Sequence, residues 1–204
     1  IVREFAASKT ENAQGKNGSE PSMIKVLSVA CGPAMELYEI LQERGDCGKY
    51  HFSLLDQDRQ ALLEAADSVE RIEGRLEADV SVDFVNESVR TMLVTRELQE
   101  RWGEFDFVYS MGLFDYLTKP VAIALLRKLY NLVLPGGKMV IGNFAYDNPT
   151  GHYMAYWMDW PIIYRTEEDM LELGSKVGSV KSYLHRDDTG IQMFLHIEKQ
   201  EAHG

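Results

Sequence analysis

An apolar run ends at a glycine in Val26-Leu27-Ser28-Val29-Ala30-Cys31-Gly32-Pro33-Ala34, and an acidic residue, Asp56, follows 24 positions after Gly32, closing a second apolar run, His51–Asp56. A glycine turn leaving a strand lets a ligand approach the backbone closely. An acceptor-only carboxylate about 20 residues further on suits two neighbouring hydroxyls such as those of a ribose. Asp56 also reads as a helix cap, although Asp58 is better placed for the helix expected from Arg59. Further along, Met111-Gly112-Leu113-Phe114-Asp115-Tyr116-Leu117 puts Asp115 and Tyr116 just past another apolar run. A second candidate segment carries Phe144, Tyr146, His152, Tyr153, Tyr156, Trp157, Trp160, Tyr164 and Arg165, with Glu167 and Glu168 after it. His152 offers a base, Arg165 a two-point contact for a carboxylate or a surface pair with Glu167 or Glu168. Tyr153, Tyr156, Trp157 and Trp160 fall at i, i+3, i+4 and i+7, which fits either a core-facing helix or the lining of an apolar pocket.

The elements that must position these residues alternate β-branched runs with helical patterns, the order of parallel strands joined by crossover helices. Strands are expected at Ile24–Ala30, His51–Asp56, Val80–Asn86, Phe105–Ser110 and Lys138–Asn143, and helices at Ala34–Glu43, Arg59–Ile72, Ser88–Arg101 and Lys119–Leu132. A helix near Glu167–Lys176 then precedes strands Ser179–Arg186 and Ile191–Lys199, joined by Asp187-Asp188-Thr189-Gly190. So tight an Asp/Gly turn makes that last pair antiparallel. The expected fold is a three-layer α/β, doubly wound Rossmann-like sheet, mostly parallel with an antiparallel C-terminal pair. Residues 1–22 read as a helix end, Ile1–Ser8, and a flexible linker from Thr10; residues 23–204 read as one domain. Pro135-Gly136-Gly137 needs no role beyond a helix-to-strand turn.

The formal net charge of −11, with no Lys/Arg-rich run, makes nucleic acid a poor partner. No apolar run approaches a membrane span and no basic-then-apolar leader opens the chain, so a cytoplasmic protein is expected. The two cysteines, Cys31 and Cys47, form neither a disulfide framework nor a metal-ligand spacing, and His152 has no ligating residue near it, so no metal is expected. The dinucleotide spacing G-x-G-x-x-G is not met, since its places hold Ala30, Gly32 and Met35, which disfavours a nicotinamide cofactor.

In order, "VLSVACGPA", "LLDQD", "VDFVNESV", "FDFVYSMGLFDYL" and "LYNLVLPGGKMVIGNF" resemble the five motifs of the class I S-adenosylmethionine-dependent methyltransferases. The resemblance covers nearly everything from Ile24 onward and implies a methyl-transferring enzyme whose cofactor is S-adenosylmethionine. It implies that Ala30 and Gly32 border the cofactor's amino-acid end, Asp56 its ribose, and Asn86, with Glu87 and Ser88 beside it, its adenine, with Cys31, Pro33 and Gln57 also among the cofactor-binding residues. Ser110, Met111 and Gly112 would line the path to the sulfur. Asn86 also reads as a cap for the helix after it. The chain departs from the family at Ser28, where an acidic residue is usual, and at Ala30 and Ala34, where glycine is usual.

More narrowly, "YSMGLFDYL", "VIGNF" and "DWPIIYRTEEDM" are similar to a bacterial group that forms the methyl ester of 3-hydroxypalmitic acid. That resemblance implies O-methylation of a fatty-acid carboxylate; Asp115, Tyr116, His152 and Arg165 are the acceptor-side candidates by their place in the two segments above. A non-catalytic module that binds the cofactor or a partner is the competing reading, prompted by the altered first motif.

Overall fold

The computed structural model describes residues 1–17, 23–149, 151–178 and 181–201, with the side chains of 10–17 and 152 outside that description. Two compact units make up the chain, Ile1–Asn86 and Glu87–Gly204.

The first unit holds α1 (Val2–Asn17), β1 (Ile24–Val29), α2 (Leu37–Ile40), α3 (Arg44–Cys47), β2 (Tyr50–Asp56), α4 (Arg59–Leu76) and β3 (Ser81–Asn86). β1 runs parallel to β2, with Val29 opposite Leu55, and β2 parallel to β3, with Asp56 opposite Asn86. Val26, Leu27, Phe52, Leu54 and Leu55 are buried, so side chains from both faces of these strands are covered, as a parallel sheet requires. α4 turns Leu62, Ala65, Val69 and Ile72 inward at helical spacing. Its start is fixed by Asp58, whose side chain accepts from the Gln60 N–H at 2.8 Å.

Two expectations in this unit are corrected. The polar stretch from Thr10 is helical as far as Asn17, and the rest of it, 18–22, lies outside the described residues. Of the helix expected over Ala34–Glu43 only α2, Leu37–Ile40, forms, because Leu41 leaves helical geometry at φ −101 and ψ 84, and α3 starts beyond it at Arg44. Asp46 then stabilises the break by accepting from the N–H groups of Gln42 and Glu43.

The second unit holds α5 (Val89–Val94), α6 (Leu98–Trp102), β4 (Phe105–Ser110), a 3-10 turn (Phe114–Tyr116), α7 (Lys119–Asn131), β5 (Val133–Phe144), α8 (Gly151–Tyr156), α9 (Glu167–Ser175), β6 (Lys181–Arg186) and β7 (Gln192–Glu198). One expected helix, Ser88–Arg101, is interrupted at Thr95, which turns to an extended ψ of 125. β5 pairs parallel with β4 and antiparallel with β7, which pairs antiparallel with β6. The strand order is β3-β2-β1 in the first unit and β4-β5-β7-β6 in the second. This is the expected mostly parallel sheet with its antiparallel C-terminal pair. β5 begins earlier than its apolar residues suggest because Val133 already pairs with Phe105, and the register shifts before Lys138 pairs with Phe107; Gly137 lies within that shift, where a Cβ would sit 2.7 Å from the Asp106 carbonyl oxygen.

His196 on β7 is buried and stacked on Tyr183 with ring centroids 4.6 Å apart. Neither of its ring nitrogens has a hydrogen-bond partner among the described residues. Burial, reinforced by the Lys138 charge, pushes its pKa down to about 4.

Candidate functional site

In the first unit the glycine turn and the acidic residue meet. The Gly32 N–H donates to Asp56 Oδ2 at 2.9 Å, and the Asp58 N–H donates to Asp56 Oδ1 at 2.9 Å. Each carboxylate oxygen has about two acceptor positions, so one on each remains after these backbone bonds. Asp56 is therefore an organiser of its turn with acceptor capacity left for two hydroxyls. The Asn86 amide donates to the carbonyls of Asp56 and Gln57 at 3.0 and 3.1 Å, tying the ends of β2 and β3 together. It does not cap the following helix; Ser88 does, accepting from the Thr91 N–H.

The turn itself has an uncommon backbone. Ala30, Gly32 and Ala34 stand at φ 55, 54 and 51, three left-handed residues at alternate positions. The two alanines that replace family glycines keep the conformation glycine favours, and each does so at a strain of about 1–2 kcal/mol. A Cβ added to Gly32 would meet nothing within 4 Å, leaving its backbone open to approach. Pro33 and Gln57 are exposed. Cys31 is no nucleophile: burial first, then the Asp56 charge, pushes its thiol up to about 12. An open left-handed turn beside a carboxylate with spare acceptor positions fits the amino-acid and ribose parts of S-adenosylmethionine.

In the second unit Ser110 is buried at the end of β4, and the Met111 carbonyl accepts from the Gln192 amide at 2.9 Å. Gly112 is exposed, and Glu87 is paired with Arg101. Beyond them Asp115 is 2% exposed, and its Oδ1 accepts from the Phe144 N–H at 2.8 Å. Burial raises its pKa to about 6 against the lowering effects of that bond and of Arg165.

Arg165 is 4% exposed, which corrects the expected surface pair; Glu167 pairs with Arg186 instead. Its guanidinium donates to the carbonyls of Phe114 and Leu117 and to the side-chain oxygen of Asn143. The Asn143 amide in turn donates to the carbonyls of Phe144 and Ile163, both at 3.0 Å. Arg165 and Asp115 thus hold the 3-10 turn, the end of β5 and the chain around residue 163 together, a positioning role rather than contact with an acceptor. Asn143 is the residue that sequence reasoning missed. Its signal was a polar amide closing an otherwise apolar run, "MVIGNF".

The aromatic segment leaves from Ala145 and returns at Arg165, which form a parallel bridge. The core-facing helix is corrected: α8 stops at Tyr156, the chain turns at Asp159 with φ 48, and Tyr156 and Trp157 are 81% and 82% exposed. Trp160, carried past the helix, packs edge-on to Phe144 at 6.2 Å, and its indole N–H donates to the Tyr116 hydroxyl at 2.5 Å. His152 belongs to α8, but its side chain lies outside the described residues.

The model of a family described as "Methyltransferase domain" matches residues 26–137, more than half of the chain. The chain belongs to this methyltransferase-domain family. No curated protein matches it. Among solved structures it is similar to a possible exported protein from Bordetella parapertussis, with TM-score 0.69, 18% identity, and coverage of 98% of this chain and 68% of the other. The S-adenosylmethionine-dependent methyltransferase SibL gives TM-score 0.61 at 18% identity, with coverage of 88% and 51%. Magnesium protoporphyrin IX methyltransferase from Synechocystis PCC 6803, with S-adenosylmethionine bound, gives 0.60 at 12% identity, with coverage of 98% and 78%. The chain thus spans about half the length of SibL, and likenesses at such identities speak to the fold. Among the described residues no helix is long and apolar enough to cross a membrane, and no group of three or more His, Cys, Asp or Glu could hold a metal ion.

Proposed function

We propose that this enzyme methylates the carboxylate of a fatty-acid-like acceptor in the cytoplasm. The observation that carries the reading is the exposed apolar segment after β5, where Tyr153, Tyr156, Trp157, Met158 and Trp160 all face solvent. An exposed surface of this kind marks a place for an apolar partner, and an acyl chain suits its chemistry. Asp56 and the backbone of Ala30–Gly32 are the proposed holders of the cofactor's ribose and amino-acid ends, with Asn86 toward adenine. When bound, S-adenosylmethionine supplies a methyl group on a sulfonium. A carboxylate arrives ionised, so this chain has to align and shield it rather than remove a proton. That requirement is consistent with Asp115 being buried and bonded, and His152 is the base to test should the acceptor be a hydroxyl.

The test is incubation with S-adenosylmethionine and saturated or 3-hydroxy fatty acids of graded length, with detection of methyl ester and S-adenosylhomocysteine by mass. Ester formed in step with S-adenosylhomocysteine supports the reading. Turnover that requires an amine or a hydroxyl acceptor, with fatty acids inert, refutes it.

A further inference from the structure

Tyr116 and Trp160 come from separate segments, and each is pinned by its own backbone. The Tyr116 N–H donates to the Leu113 carbonyl at 3.1 Å, and the Trp160 N–H to the Met154 carbonyl at 3.1 Å. The Ile163 N–H donates to the Asp115 carbonyl at 2.7 Å, which joins the two segments beside the pair. The indole N–H is donor-only, so in the Trp160–Tyr116 bond the phenol oxygen is the acceptor. The hydroxyl's own proton must then point away from the indole. Tyr116 is 53% exposed, whereas Asp115 beside it is buried and bonded. What this place offers to an incoming group is therefore an unspent O–H donor on a phenol whose oxygen already accepts one bond from a rigid aromatic neighbour.

We propose that the Tyr116 hydroxyl, oriented by the Trp160 indole, donates to an anionic oxygen of the methyl acceptor and thereby sets the enzyme for carboxylate over ammonium acceptors. This rests on the acceptor reading above and assigns it a specificity-determining residue. An ammonium brings only N–H donors and must share the phenol oxygen with the indole N–H that already occupies one of its acceptor positions. A carboxylate oxygen accepts that proton in a charge-assisted bond. With a net charge of −11 the long-range field gives an anion no help, and such fields are screened beyond about 8–10 Å at ordinary salt, so selection falls to a short-range donor.

The experiment is calorimetric titration of the full chain with decanoate and with decylammonium, with S-adenosylhomocysteine titrated into each sample. The wild type is expected to bind decanoate at least about 10-fold tighter than decylammonium, the size of one bond to a charged group. Tyr116→Phe should remove that preference by weakening decanoate about 10-fold while leaving decylammonium unchanged. Trp160→Phe keeps the ring against Phe144 and should weaken decanoate alone by several-fold, with no further loss when combined with Tyr116→Phe. A merely structural role would shift both probes together and the two substitutions additively, and either result overturns the proposal. Decanoate failing to bind while S-adenosylhomocysteine binds also overturns it and leaves the methyltransferase class standing. Failure of both ligands against a folded sample sinks the proposal together with the proposed cofactor site.

Discussion

Replacing Ala30 by glycine should stabilise the protein, the reverse of what that change does in ordinary backbone. Ala30 is held at φ 55, where its Cβ crowds the following carbonyl. Releasing that strain returns about 1–2 kcal/mol, and the extra freedom of glycine in the unfolded chain takes back about 0.4–1 kcal/mol. A net gain of about 1 kcal/mol follows. Ala34 has the same φ, 51, but its methyl is fully buried, so losing about 0.8 kcal/mol of burial should bring Ala34→Gly to within about 0.5 kcal/mol of neutral. Ala66, inside α4, is the control: Gly there should cost about 1 kcal/mol. The assay is urea unfolding followed by far-UV circular dichroism, since the tryptophans Trp102, Trp157 and Trp160 all lie in the other unit. At a urea slope of about 2 kcal/mol/M, Ala30→Gly should raise the midpoint by roughly 0.5 M and Ala66→Gly lower it by as much. An Ala30→Gly midpoint that falls alongside Ala66→Gly would show that the turn is not left-handed at Ala30, and the argument that alanine preserves the family's backbone would fail.

Arg165→Leu removes the donor to two buried carbonyls and to Asn143 while leaving Asp115 buried, and should cost about 3–5 kcal/mol in the same urea assay. The acid side of the stability curve carries two opposed groups. His196 has its pKa lowered from 6.5 to about 4, so it contributes stability above the unfolded value that is lost as pH falls toward 4; between pH 7.5 and 5 the wild type should lose about 2 kcal/mol relative to His196→Phe. Asp115 has its pKa raised from 3.8 to about 6, so it costs stability as pH rises through that window; over the same range, going down in pH, the wild type should gain about 1.5 kcal/mol relative to Asp115→Asn. Urea melts of both variants at pH 5 and 7.5 check the two signs independently.

The order of elements was legible because alternation of apolar runs with 3.6-period stripes survives in the sequence, as at Phe105–Ser110 and in the Leu62, Ala65, Val69, Ile72 face of α4. Local chemistry was legible too, as Asp58 shows by capping the helix it was expected to cap. What the residues could not reveal is where tertiary contacts override a local pattern. Tyr153, Tyr156, Trp157 and Trp160 have helical spacing, but spacing does not distinguish a stripe facing a core from one facing water. The helix ends at Tyr156, and the turn at Asp159 sends Trp160 to Tyr116. Arg165 beside two glutamates looks like a surface residue; its burial comes from backbone carbonyls some 50 positions away in sequence, which no side-chain pattern announces.

The central claim is that the Gly32 turn and Asp56 receive S-adenosylmethionine, and calorimetric titration with S-adenosylhomocysteine tests it most directly. Asp56→Ala removes the carboxylate at the proposed ribose position, and Asp58→Ala, which removes only the helix cap, serves as the control for local structural damage. The account predicts saturable binding by the wild type, near-wild-type affinity for Asp58→Ala, and a loss of at least about 10-fold for a folded Asp56→Ala, the worth of a charge-assisted bond to the hydroxyls. Equal affinity for wild type and Asp56→Ala, or no binding to a folded wild type, would contradict it.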